Sequence, residues 1–177
     1  MKTDLHIHTN CSDGSLSPEQ IVERACAAGL DAIAITDHDN ANGVERACLA
    51  ARGKALKVVA GIELSAYDRE METHMLGLGI DYSGERFKES MSKIQALRHE
   101  RNRCLLERLR ELDISISFEE LESAFPHEVH GRSHIARLMV KKGGMEHDGT
   151  GIRPPGPGPA GSALPHSLPL PLSLIHI

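Results

Sequence analysis

Residues 4–8 read Asp-Leu-His-Ile-His, so Asp4, His6 and His8 alternate with the apolar Leu5 and Ile7. On a strand this alternation puts a carboxylate and two imidazoles on one face and the apolar residues on the other. Two histidines at i and i+2 can share one metal ion; the plain alternative is a solvated strand face. Further groups of the same chemistry recur downstream: Asp13, Asp37-His38, Glu63, His74 and His134. Imidazoles and carboxylates without thiolates suit manganese, zinc or iron, and this many ligands suit more than one ion. A carboxylate such as Glu63 can bridge two ions.

These side chains need a frame that brings them to one place. Residues 4–8, 31–36 and 56–64 read as strands, and helices are predicted over about 18–28 and 43–52. Ser17 is a good N-cap, Pro18 suits the first helical position, and Gly29 closes the helix. Strand-helix alternation predicts a parallel α/β sheet or barrel, whose sites lie on the rim formed by the C-terminal strand ends. Asp13, His38 and Glu63 fall on that rim. The link at 68–70 is too short for a helix, so 73–80 should return as a hairpin and carry His74 back towards Glu63.

Residues 84–113 then predict one long helix with Phe87, Met91, Ile94, Leu105, Leu109 and Leu112 on its buried stripe. Continued through the middle, the stripe lands on Arg98 and Arg101. Either they snorkel out of a groove, or they face a polar cleft and hold an anion. A short helix follows at about 118–124, and Gly131 with Arg132 opens a last one through about residue 142, whose free amides favour a phosphate. Seven of the nine prolines lie between residues 154 and 171, without hydrophobic period. Residues 143–177 are therefore expected to be a disordered or aberrant tail.

Composition narrows the classes. The chain has 177 residues, enough for one ordinary domain, with 3% aromatics and no tryptophan, so its core must be aliphatic. A net charge of −5 argues against binding a DNA duplex through bulk positive charge. The four cysteines form no CxxC pair, and neither a signal peptide nor an 18-residue apolar run is visible. These features predict a cytoplasmic protein that makes no membrane contact.

DLHIHT, CSDG, ITDHD, GIE and H-x-LGLG, in this order and spacing, resemble the polymerase and histidinol phosphatase (PHP) superfamily. A basic helix followed by GRSHIARLMV resembles its branch of 3′,5′-nucleoside bisphosphate phosphatases and 5′-to-3′ exoribonucleases. The resemblance covers about residues 2–142. It implies an α/β fold, an incomplete distorted (β/α)7 barrel with residues 1–83 as its first half and residues 84–142 as an inserted helical subdomain. It further implies two or three divalent ions, manganese first, with zinc or iron as alternatives. His6, His8 and Glu63 would hold one ion, Glu63, His74 and His134 a second, and Asp13 with His38 a third. Asp4 would orient a ligand histidine, with Asp37 in a similar supporting role, and Arg98, Arg101 and Arg132 would bind phosphate. The family's later Asp-x-His pair has no counterpart here, since His166 and His176 lie in the proline-rich tail. The implied reaction is hydrolysis of a phosphomonoester, on a nucleotide or short RNA, by a metal-bound hydroxide. A histidinol-phosphatase type of enzyme and a non-catalytic, metal-stabilised module are the alternatives.

Overall fold

The computed structural model describes residues 1–68, 71–126, 129–143, 146–147 and 152–153. Strands β1 (Thr3–Ile7), β2 (Ala32–Ile35) and β3 (Lys57–Asp68) alternate with helices α1 (Pro18–Ala27) and α2 (Asn42–Ala50). They lie side by side in parallel, and β4 (Met71–Leu78) adds antiparallel to β3, giving the order β1-β2-β3-β4. Strands that neighbour one another in chain order, joined by helices, build a barrel-like wall and not a doubly wound sheet.

The local chemistry explains these elements. Ser17 caps α1 in a full capping box with Gln20, and Pro18 occupies the first turn. Val22 and Ala25 turn inward from α1, Val44, Ala47 and Ala51 from the α2 region, and all four residues of β2 are buried. Together with Leu56 they form an aliphatic core between sheet and helices. Transfer of each Val, Ile or Leu side chain among them from water contributes about 1.5–3 kcal/mol, and Ile33 and Ile35 thereby hold β2 in the middle of the sheet.

Two details depart from expectation. Leu5 is 40% exposed, because β1 lies at an edge of the described sheet and its face is only partly covered. Strand β3 runs on past Glu63 to Asp68, since its whole second half pairs with β4. The hairpin is as anticipated, although residues 69 and 70 of the link lie outside the described residues.

Helix α3 (Glu85–Glu111) leads into α4 (Phe118–Ala124) and α5 (Arg132–Lys141). Leu106 and Leu109 of α3 pack with Ile116, Leu121, Ile135, Leu138 and Met139 in a second core. Midway along α3 the buried face turns polar, with Arg98 largely covered and Asn102 2% exposed. The Asn102 amide donates to the carbonyl of His130 at 2.9 Å, which fastens the helix to the chain entering α5. Two short strands, β5 (Glu146–His147) and β6 (Ile152–Arg153), pair antiparallel; the rest of the proline-rich tail lies outside the described residues. No helix among the described residues is long and apolar enough to cross a membrane.

Candidate metal centre

The site is built where β1 and β2 end, alongside the middle of β3. A bulge in β1 between Asp4 and Ile7 shifts its register against β2, and the Thr36 hydroxyl accepts the Ile7 N–H at 3.1 Å. Beyond β2 the chain stays beside β3 through a bridge between His38 and Glu63, with the Asp39 N–H on the Glu63 carbonyl at 3.0 Å. Across the hairpin His74 pairs with Ser65 and so lies diagonal to Glu63 on the same face.

These placements converge on one carboxylate. Glu63, 4% exposed, has His8 Nε2 2.8 Å and His6 Nε2 3.1 Å from Oε2, with His38 Nδ1 3.5 Å away. Its Oε1 lies 2.9 Å from His74 Nδ1. Asp13 stands beside them, 2.9 Å from His8 Nδ1 and 3.8 Å from His38 Nε2. Potential ligand atoms fall into three overlapping groups: His6, His8 and Glu63; His8, Asp13 and His38; and His38, Glu63 and His74.

A proton inventory shows why these atoms call for a cation. The Asp13 carboxylate can only accept, so His8 gives it the Nδ1 proton, and neutral His8 keeps a bare lone pair on Nε2. That lone pair faces Glu63 Oε2 at 2.8 Å and His6 Nε2 at 3.0 Å. His38 Nδ1 is likewise buried without a hydrogen-bond partner among the described residues. Unshielded donors this close repel unless a proton or a metal ion lies among them, so the residues present fit a bound divalent ion.

The protonation equilibria show the same demand. Asp13's hydrogen bond lifts His8 above its ordinary value, against the opposing effect of burial. Asp13 in turn is held far below the usual carboxylate range, chiefly by that bond. Burial pushes Glu63 upward, but the His6 hydrogen bond and the charges of His38, His8 and His6 outweigh it, leaving its pKa lowered. His38 is lowered, first by burial.

The remaining candidates are placed as follows. His134 is wholly buried on the wall of the adjoining cleft; its Nδ1 accepts the Gly131 N–H at 2.9 Å and its Nε2 donates to the Ser12 carbonyl at 2.8 Å. It stands outside the three groups. The Asp4 carboxylate accepts the backbone N–H of His6 at 3.2 Å and so steadies the residue. Asp37, fully buried, accepts from the Thr9 N–H (2.7 Å), the Thr9 hydroxyl (2.7 Å) and the Ser12 hydroxyl (2.6 Å). It thereby fixes the loop that presents Asp13. Arg98, Arg101 and Arg132 line one cleft with Asp13, His38 and His74. Arg98 is engaged at all three guanidinium nitrogens, by Asp39, Ser65 and the His130 carbonyl. Arg101 donates to the Asn102 side chain at 3.4 Å. Asp39, Thr9, Ser12 and Asn102 escaped the sequence reading; for Asp39 the signal was the second acid of ITDHD.

Lone pairs gathered for a cation, next to a wall of arginines, make this a candidate metal centre beside a basic cleft. The chain belongs to the PHP domain family, whose model matches residues 4–142. It is 31% identical over 152 residues to a 5′-3′ exoribonuclease of Haemophilus influenzae, covering 86% of this chain and 55% of that one. A 3′,5′-nucleoside bisphosphate phosphatase of Chromobacterium violaceum is 31% identical over 144 residues, 81% of this chain and 50% of its own length. A solved amidohydrolase structure from Chromobacterium violaceum, with sulfate and no metal, superposes with a TM-score of 0.73 at 31% identity, covering 81% of this chain and 51% of that one. The chain thus spans about half the length of the curated relatives it matches.

Proposed function

We propose that this chain binds two or three divalent ions, manganese foremost, and with them hydrolyses a phosphomonoester of a nucleotide. A nucleoside 3′,5′-bisphosphate or the 5′ end of a short RNA is the substrate. The observation that carries this is the convergence of His6, His8, His38 and His74 on Glu63 beside a cleft that also holds Arg101 and Arg132. The names of the two relatives support the substrate class.

The chain's residues divide the work. His6, His8 and Glu63 would hold one ion, Glu63 and His74 a second, and Asp13 with His38 a third. His134, held neutral by burial, has the protonation state a ligand needs and would serve the second ion with Glu63 and His74. When bound, the ions supply an activated water and positive charge for the phosphoryl oxygens. Arg101 and Arg132, from the helical region 84–142, clamp the phosphates, and Arg98 holds that region against the rim. Asp4 and Asp37 keep β1 and the Asp13 loop in position.

The test is manganese titration of the full chain, followed by turnover of adenosine 3′,5′-bisphosphate and of p-nitrophenyl phosphate. Two or more tightly held ions with turnover are expected, and R101A and R132A should raise KM for the bisphosphate several times more than for the aryl ester. One ion without turnover at any manganese concentration would leave a metal-stabilised module and overturn the enzyme. Equal effects of the arginine variants on both esters would overturn the clamp.

A further inference from the structure

A second cleft of about 440 Å³ adjoins the metal cleft and shares Arg98 and Val129 with it. Its walls hold Phe118 and Phe125, two of the three phenylalanines in a chain without tryptophan. The His99 ring lies against Phe118, centroids 4.1 Å apart at an interplanar angle of 37°, and His130 meets Phe118 edge-on at 6.2 Å. Phe125 stands edge-on to His134 at 4.9 Å, and His134 lines the metal cleft. Aromatic surface therefore runs from the second cleft to the wall of the metal site.

Phe118 and Phe125 rest by one side on the surrounding core, whose fully interior members are Leu, Ile and Met, but both are only half-buried, and His99 is exposed. Rings gathered at an open cleft in a chain this poor in aromatics suit a flat, polarisable ligand. We propose that this cleft receives the nucleobase of a nucleotide whose phosphate lies at the metal cluster. The base stacks on the His99–Phe118 pair, and the Glu122 carboxylate on the same wall accepts from an exocyclic amine. Stacking of this kind tolerates any base, while the carboxylate favours adenine, cytosine and guanine over uracil. The inference rests on the phosphoesterase reading above for its choice of ligand, and its test is separable from that reading.

Binding is measured on the full chain with manganese, using adenosine 5′-monophosphate and ribose 5-phosphate, which differ only in the base. The monophosphate should bind at least about fivefold more tightly, and the ratio should fall towards one in both H99A and F118L. Because His99 is exposed, H99A keeps the test readable if F118L does not fold. Saturation-transfer NMR with adenosine alone should place the base protons H2 and H8 against the protein, with the signal weakened in H99A. Equal affinities for the two ligands, no detectable binding of the monophosphate, or a ratio that H99A leaves intact overturns the base site. Preferential binding of the monophosphate without hydrolysis of any ester supports the base site and removes the enzyme.

Discussion

Arg98 on α3 and Asp39 beyond β2 form a buried ion pair, with Arg98 Nη2 2.7 Å and Nε 2.8 Å from the same Asp39 oxygen. Asp39's other oxygen accepts the Ser65 N–H at 2.9 Å, and Gln95 of α3 donates to its carbonyl at 3.2 Å. Its backbone has φ of 50°, a left-handed conformation that aspartate tolerates better than most residues. One residue thus ties α3, β3 and the segment bearing His38 together, immediately beside Glu63.

Removing one partner leaves a buried charge without compensation, so Arg98→Ala should lower stability by about 3–5 kcal/mol. Arg98→Lys keeps the charge but loses the planar fork and should recover only part of this. Combining Arg98→Ala with Asp39→Ala should cost less than the two single losses added together, because the second change removes the stranded carboxylate. Urea unfolding of the unaltered chain and these four variants checks this. A loss below about 1 kcal/mol in Arg98→Ala would show that the pair behaves as a surface bridge.

Glu63→Gln keeps the shape of the shared ligand and removes its charge. Partners that merely support metal ligands are worth 10–100-fold in affinity, so the shared carboxylate should be worth more than about 100-fold. Isothermal titration with manganese should show both tight sites weakened together. Weakening of a single site would mean that Glu63 serves one ion and is not a bridge.

The candidate ligand residues were legible because their signals are local. An HxH alternation and acids at strand ends declare themselves within a few residues, as do Ser17, Pro18 and Gln20 at the start of α1. Arg98 was visible as an anomaly on an apolar stripe, but its partner lies 59 residues away, and only the packed fold joins them. Asn102 was missed for the same reason: its burial depends on the His130 carbonyl of a segment that no helical periodicity could place. The exposure of Leu5 depends on where β1 lies in the sheet, which a strand pattern does not encode.

Gly14 controls how Asp13 is presented. A Cβ there would stand 2.4 Å from the His8 carbonyl oxygen and 2.6 and 2.8 Å from the carbonyl carbons of His8 and Thr9. All three atoms are backbone, so the loop itself must shift. Gly14→Ala should destabilise the protein by about 1–3 kcal/mol and lose the ion that Asp13 serves, while the ions at Glu63 remain. Manganese stoichiometry by elemental analysis, read beside thermal unfolding, separates the two effects. An unchanged stoichiometry would show that Asp13 is not a ligand.

His134 sets a pH dependence in the metal-free protein. Its Nδ1 accepts from Gly131 and its Nε2 donates to Ser12, so a second proton on Nδ1 would face the Gly131 N–H, and burial pushes its pKa down to about 4. In the unfolded chain a histidine titrates near its ordinary value of about 6.5. Between these values the unfolded chain takes up a proton that the folded one refuses. The contribution of His134 is therefore complete above about pH 6.5 and declines as pH falls towards 4, by about 3 kcal/mol in all. His8, whose pKa is raised by Asp13, works in the opposite sense, gaining stability on acidification. The two are separated by His134→Gln, whose amide can still donate to Ser12 and accept from Gly131 but does not titrate. Measured in chelator from pH 7 to pH 4, the stability of the unaltered chain relative to His134→Gln should fall steadily, with the His8 contribution cancelling. A difference that stays constant over that range would mean that His134 takes up its proton in the folded protein as readily as in the unfolded one.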